Sequence, residues 1–271
     1  YHHFALYRLP IVRKLMELED YEVTLISSAQ SRAGIRTIDP NLAELAVEQG
    51  GVRWEFLKNL WIGGKRSPFL WQWGLVSRLK QDDYDAVIFL GAIYYFSTWF
   101  AIRTAKKRNK RVIIWTHGFL GKDSKWIAAL RHRLYRMADA CLLYGNRARD
   151  IMLETNYYNP EQLSVVYNSL DHALHSSLRH YSLPEAKREQ RQALFDNVDL
   201  PVVSYIGRLS PDKSLELLVD ALAISQRGGE SFRVLLIGEG PLKESLRQRA
   251  KDLGVEDHLI FYGYCADEEV A

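Results

Sequence analysis

Cysteine is scarce, with two residues in 271. Cys141 sits in an apolar, strand-like run and Cys265 follows a glycine turn. Two isolated thiols give no disulfide framework and no metal-ligand spacing, which points to a reducing, cytoplasmic compartment. Long apolar runs are lacking too. The longest uncharged stretch, Ala86–Ile102, is about 17 residues, at the lower limit for a membrane span. Gly91 divides it, and Tyr94, Tyr95, Ser97 and Thr98 dilute it. It therefore predicts a buried strand turning into a helix. No tandem repeat and no low-complexity segment occurs. No strand is followed by a three-glycine fingerprint and an acidic ribose partner, which argues against a nicotinamide dehydrogenase. The net charge of +3 is too small to imply nucleic-acid binding, and no recognised nucleic-acid module is present, so no nucleic-acid partner is expected.

What is there is alternation. Apolar bursts begin at Tyr21, Gly51, Tyr84, Arg111 and Ala138, each ending at a polar or glycine position. Amphipathic stretches lie between them, among them "STWFAIRTAKKRNK" and "KWIAALRHRLYRMA", with basic last turns that suit the helix dipole. Strand and helix in turn predict α/β architecture with doubly wound parallel sheets. Ser176 to Asp199 is charged and lacks strand patterning, and "LPEAKREQRQALF" within it reads as one solvated helix. The alternation then restarts with "LPVVSYIG", "SFRVLLIGEGP" and "DHLIFYGY". We therefore expect a first Rossmann-like domain over 1–172, a junction and helical linker over 173–199, and a partial second Rossmann-like domain over 200–271. Both ends look trimmed relative to a longer protein, although the adjacent histidines near the start would also fit a tag remnant.

Open α/β sheets bind ligands beyond the carboxyl ends of their strands, where the chemistry-bearing residues fall. Arg208 follows Gly207 at the end of "VVSYIG", and Lys213 stands five residues on, near the predicted start of the next helix. Spacing alone leaves two readings open, a solvated basic turn around Pro211 and Asp212 or a cradle for a diphosphate. A lysine at a helix N-terminus is unfavourable unless something negative balances it, which favours the ligand. In "LIGEGP", Gly238 and Gly240 form a tight turn on the same sheet edge, with Pro241 expected at the first helical position. By itself that turn reads as punctuation. Gly263 ends a third strand, where a flat base would lie against backbone. His117 and Gly118 in "WTHGF" lie just past a buried strand. His117 either satisfies local backbone or meets a ligand's hydroxyl or proton near neutral pH.

"GRLSPDKSLELLVDAL", "LLIGEGPLKESL" and "LIFYGY", in this order, resemble the donor half of retaining glycosyltransferases of the GT-B fold, family 4. "YRLPIVRKL", "WTHGF" and "VVYNSLD" are similar to that family's acceptor half and its interdomain connection. The resemblance implies two Rossmann-like domains facing across a cleft. It implies transfer of a sugar, by a hexosyltransferase-type enzyme, from a nucleotide-diphosphate donor to a glycan or lipid-linked acceptor with retention of configuration, in surface polysaccharide or glycolipid synthesis. Arg208 and Lys213 would hold the diphosphate and stabilise its growing charge, so that neither metal nor other cofactor is needed. His117 would lie near the donor sugar and the acceptor, and Gly263 with Tyr264 would line the base pocket, beside Gly207, Gly238 and Gly240. The family has glycine where this chain has Ser214 and Ser169, and a later pair of glutamates that this sequence does not reach. The chain is thus expected to be an incomplete catalytic unit, inactive alone. A non-catalytic nucleotide-sugar binder and a GT-B sugar-nucleotide epimerase are the alternatives.

Between Lys58 and Lys80, Trp61, Phe69, Trp71 and Trp73 interleave with Lys58, Lys65 and Arg66. This reads either as a loop and an amphipathic helix whose tryptophans are core, or as a contact for a lipid-linked acceptor at an anionic membrane surface. Trp61, Lys65, Arg66 and Trp71 are its candidate residues, and a peripheral location at the inner face of the membrane would follow.

Overall fold

A computed structural model describes residues 2–31, 37–38, 41, 52–64, 67–119, 123–168, 172–181, 184–195 and 199–265. The chain divides into two compact units, Tyr1–Leu170 and Asp171–Ala271. Each is an α/β layer structure with its own core.

The first unit begins with helix α1 (Leu9–Met16), strand β1 (Val23–Ser27) and strand β2 (Val52–Phe56), the two strands pairing in parallel. Phe4, Val12, Leu25, Ile38 and Val52 are buried together around this pair. A short antiparallel hairpin follows, β3 (Asn59–Trp61) and β4 (Leu70–Gln72), then helix α2 (Leu75–Gln81). The hairpin stands where the first reading of this tryptophan-rich stretch has a loop: Trp61 and Trp71 are strand residues. Lys65 and Arg66 lie outside the described residues.

Four parallel strands in sequential order then build the main sheet: β5 (Ala86–Leu90), β6 (Arg111–Thr116), β7 (Ala140–Leu143) and β8 (Leu163–Val165). Helices α3 (Phe96–Lys107), α4 (Lys125–Tyr135) and α5 (Asn146–Glu154) connect them. The run Ala86–Ile102 is thus a strand and a helix as its composition predicts, but the strand is only partly buried, with Ile88 49% exposed, and no helix among the described residues is long and apolar enough to cross a membrane. Val112, Ile114, Ile102, Leu143 and Met152 are fully buried between sheet and helices. Each such side chain contributes roughly 1.5–3 kcal/mol of burial.

The second unit opens with helices α6 (His172–Tyr181) and α7 (Pro184–Leu194). The second of these is the solvated helix expected from its charge. Three parallel strands, β9 (Val202–Ile206), β10 (Arg233–Ile237) and β11 (Leu259–Gly263), lie in the order β11-β10-β9. Helices α8 (Glu216–Arg227) and α9 (Lys243–Asp252) join them, and Leu222, Leu236 and Leu246 bury between the layers. Helix α9 stops where its sequence says it should. Gly254, at φ +69°, donates to the Lys251 carbonyl and Val255 donates to that of Ala250, the Schellman pattern. Its start departs from expectation. The helix begins at Lys243 after Leu242, so Pro241 sits in the preceding turn and not at the first helical position.

Candidate functional site

In the second unit, the loops beyond the three strands are joined backbone to backbone. Gly207 N–H donates to the Ile237 carbonyl at 2.9 Å, Leu209 N–H to that of Glu239 at 3.1 Å, and Gly238 N–H to that of Gly263 at 2.6 Å. The parallel ladder therefore continues past the strand ends and brings Gly207, Arg208, Gly238, Gly240 and Gly263 to one edge. A Cβ at Gly238 would stand 2.0 Å from the Gly207 carbonyl oxygen, and one at Gly240 would stand 2.3 Å from that of Leu209. Only hydrogen fits there. The double-glycine turn thus exists to let this edge close, a role that the sequence shows only as punctuation.

Arg208 is exposed on that edge, and its carbonyl accepts from the Tyr205 hydroxyl at 3.0 Å. Lys213 ends a 3-10 turn, Pro211–Lys213, three residues before α8 begins. Its ammonium lies 3.1 Å from the Asp212 carboxylate, and both side chains are exposed. Asp212, hydrogen-bonded by the Ser210 hydroxyl and by Lys213, is held below the usual carboxylate range. This corrects one step of the sequence argument. The negative charge that balances Lys213 is its neighbour's, through a pair screened by solvent. Tyr264 projects into solvent just past β11. Ser214, where the family places glycine, adopts φ +50° and ψ +41°, the left-handed region, so the usual glycine there has a backbone reason. Ser169 lies outside the described residues.

In the first unit, side chains do the holding. His117 follows β6, and its ring stacks on Tyr144, just past β7, with centroids 4.2 Å apart and planes at 23°. The Tyr144 hydroxyl accepts from the Arg8 guanidinium at 2.6 Å, and that guanidinium also lies 5.1 Å above the Trp115 ring. Arg8 is buried, and partial burial of the His117 ring, then the charge of Arg8, push that imidazole below its ordinary value of 6.5. His117 is therefore neutral near pH 7 and able to accept a hydrogen bond. Beneath the loop, the Gly118 N–H donates to the Thr116 hydroxyl, which bonds Tyr135 OH at 2.6 Å, which in turn donates to the Gly91 carbonyl. Arg8 and Tyr144 are functional neighbours that sequence reasoning missed. Tyr144 carried a signal, its place at a strand's carboxyl end, and Arg8 lay unremarked within "YRLPIVRKL".

A second feature of this unit is a cleft of about 790 Å³ at the carboxyl ends of β1 and β2. Ser28 to Ser31 and Phe56 to Asn59 form its floor and walls, with Trp61 and Gly64 of the hairpin at one side. Trp71 does not line it; its ring sits 5.6 Å from that of Phe100 on α3. Cys141 is buried in β7 with its thiol pushed up to about 12 by desolvation, which rules it out as a nucleophile. Among the described residues no group of three or more His, Cys, Asp or Glu is placed to hold a metal ion.

Known proteins share this chain's features in both halves. The family model for Glycosyltransferase Family 4 matches residues 11–174, and that for Glycosyl transferases group 1 matches residues 186–271. An alpha-D-kanosaminyltransferase of Streptomyces kanamyceticus is 27% identical over 54% of this chain and 36% of its own length. A GDP-mannose-dependent alpha-(1-6)-phosphatidylinositol monomannoside mannosyltransferase of Mycobacterium tuberculosis is 36% identical over 32% of this chain and 22% of its own length. The alignments thus span about a third or less of these relatives. In three dimensions, a glycosyltransferase of Rickettsia africae superposes on 98% of this chain and 70% of its own, with TM-score 0.63 and 12% identity. A lipopolysaccharide outer core galactosyltransferase does so over 98% and 66%, with TM-score 0.58 and 17% identity. These likenesses give the fold class as GT-B, with Rossmann-like units. With one family model on each half and strand-end sites in both units, the chain belongs to the family 4 glycosyltransferases.

Proposed function

We propose that the protein transfers a sugar from a nucleotide-diphosphate donor to a glycan or lipid-linked acceptor with retention of anomeric configuration. The observation that carries this reading is the edge of the second unit, where three parallel strand ends, closed by glycines, carry the exposed Arg208. Such an edge suits a diphosphate, because a guanidinium offers two parallel donors to phosphate oxygens. Lys213 adds a second cation once the ligand's charge competes with Asp212. Gly263 and Tyr264 flank the place for the base.

As the bond from the anomeric carbon to the diphosphate breaks, negative charge grows on the departing oxygen. Cations fixed nearby strengthen their hold at that moment and lower the barrier, which asks for no metal. The acceptor hydroxyl attacks the same face, forming the new glycosidic bond. A phosphate oxygen of the leaving group takes its proton, and the nucleoside diphosphate departs. His117, neutral and stacked, accepts a hydrogen bond from a sugar hydroxyl. The cleft beside Trp61 takes the acceptor, an aromatic wall being suited to a sugar ring face. The mycobacterial relative, by its name, uses GDP-mannose and a phosphatidylinositol mannoside, which favours a hexose donor and a glycolipid acceptor.

A panel of nucleotide sugars, screened by thermal shift and then for transfer to candidate acceptors, tests the reading. At least one should stabilise the protein, and Arg208→Ala should abolish that stabilisation. Turnover of the donor without any acceptor would replace transfer with epimerisation, and a protein stabilised by none would remove the donor assignment.

A further inference from the structure

The hairpin β3–β4 has two faces of different use. Side chains alternate along a strand, so Asn59 and Trp61 share one face with their partners Gln72 and Leu70. This inner face is anchored. Leu70 and Gln72 are buried, Leu70 N–H donates to the Tyr94 carbonyl, and Gln72 N–H to the Ser97 hydroxyl at the start of α3. The outer face carries Leu60 opposite Trp71, continued by Ile62, Phe69 and Trp73. All five are apolar, and none is buried; Trp73 is 65% exposed and Ile62 47%. A two-stranded ribbon with polar or cleft-lining groups inside and an unbroken apolar row outside has its hydrophobic face turned the wrong way for a free protein in water.

The row continues onto α3. Phe69 stacks on Phe96 at 5.2 Å, and Trp71 meets Phe100 at 5.6 Å. Phe96 and Phe100 are themselves exposed, and the same helical line runs on through Arg103 and Lys107, also exposed. The two segments that build this surface carry charge of one sign, although Asp139 pairs with Lys106 of α3. No Asp or Glu occurs from Phe56 to Gln81, or from Ala86 to Lys122, the two segments that build it. The whole chain carries 33 acidic residues against 36 basic ones, so this exclusion is local.

We propose that this aromatic face, flanked by cations, docks on a membrane surface bearing anionic lipid headgroups. Aromatic rings and short aliphatic side chains enter the headgroup boundary, and the lysines and arginines meet lipid phosphates. Charge complementarity chooses the occupant: a second copy of this chain would set the same cations against each other. Because the hairpin's inner residues Asn59 and Trp61 line the 790 Å³ cleft, docking by the outer residues holds the cleft mouth at the bilayer. A lipid-linked acceptor then enters laterally without leaving the membrane. This last step rests on the transfer reading above; the docking itself does not.

The experiment is flotation of the protein with vesicles of phosphatidylcholine alone or mixed with phosphatidylglycerol, at low and high salt, without nucleotide sugar. The protein should float with the mixed vesicles at low salt and be released by high salt. Trp73→Ser with Phe100→Ser, and separately Arg103→Glu with Lys107→Glu, should each reduce the floating fraction at least about tenfold. Circular dichroism and the melting temperature report whether these variants keep their fold. Brominated lipid should quench the tryptophan fluorescence of the unmutated protein and lose most of that quenching on Trp73→Phe, which gives a second reading free of folding artefacts. The proposal is overturned by a protein that does not float, by both variant pairs floating as well as the parent, or by a lipid-free dimer that Trp73→Ser with Phe100→Ser dissolves. Arg208→Ala should float normally. Transfer to a water-soluble acceptor without flotation would end the docking proposal alone, and flotation without transfer would end the transfer reading alone.

Discussion

Both units place candidate ligand-binding groups at the carboxyl ends of parallel strands, yet they hold those groups by different means. In the second unit the loops after β9 and β10 touch backbone to backbone, with glycines where any Cβ would collide. In the first, the His117 loop is held by side chains: Tyr144 and Arg8 above, Thr116 and Tyr135 beneath. A backbone-closed edge tolerates almost any side chain except at its glycines, where tolerance ends abruptly. A side-chain-held loop degrades by degrees, and its electrostatics are adjustable one residue at a time.

That contrast can be broken in descending order of effect. Gly238→Ala should be the most damaging single change, because a methyl 2.0 Å from the Gly207 carbonyl oxygen forces two loops apart. We expect a loss of about 3 kcal/mol or more in urea unfolding, together with loss of nucleotide binding. An alanine there that unfolds like the parent would show that the edge is pliant.

Tyr135→Phe, in the first unit, removes a hydroxyl bonded to Thr116 and to the Gly91 carbonyl. It should cost about 1–3 kcal/mol and leave the fold intact.

Arg8→Met acts on charge. Burial and Arg8 together hold the His117 imidazole below 6.5, so the neutral ring persists as pH falls through 6.5 and is lost only at its lower folded value. The sign for stability is the same: the contribution is present above 6.5 and fades as pH falls through that lower value. Removing Arg8 should move the acid limb of kcat/KM upward toward 6.5, with activity near neutral pH changed far less. An unmoved limb would show that burial alone sets the value.

Ser214→Gly is the smallest change and has the opposite sign. Relief of a left-handed serine should stabilise the second unit by about 0.5–1 kcal/mol, after the added freedom of the unfolded chain is subtracted.

The strands were legible in the sequence because their signal is local. Runs such as "AVIFL" and "VLLI" are apolar throughout, which marks them as strands even where Ile88 is 49% exposed, and the helices between them show their period. The hairpin was not, because strands of three residues are too short for alternation to register, and a glycine pair between tryptophans reads equally well as a loop. The Arg208 edge was visible as a motif, but the reason for its glycines was not: they answer to carbonyls on another strand, roughly thirty residues away in sequence. Arg8 stood within a quoted motif, but its role was hidden for the same reason in larger measure, since its partner Tyr144 is 136 residues distant. Asp212, by contrast, is in plain view beside Lys213, and adjacent opposite charges at a turn satisfy one another without any ligand.

The central claim is that Arg208 on the edge of the second unit binds the diphosphate of a nucleotide. Isothermal titration of a nucleoside diphosphate into the protein and into Arg208→Ala, with the matching nucleoside as control, measures it directly. The loss of a charge-assisted, two-donor contact should raise the diphosphate Kd about 10- to 100-fold and leave nucleoside binding unchanged. Equal diphosphate affinity in the two proteins would contradict the account.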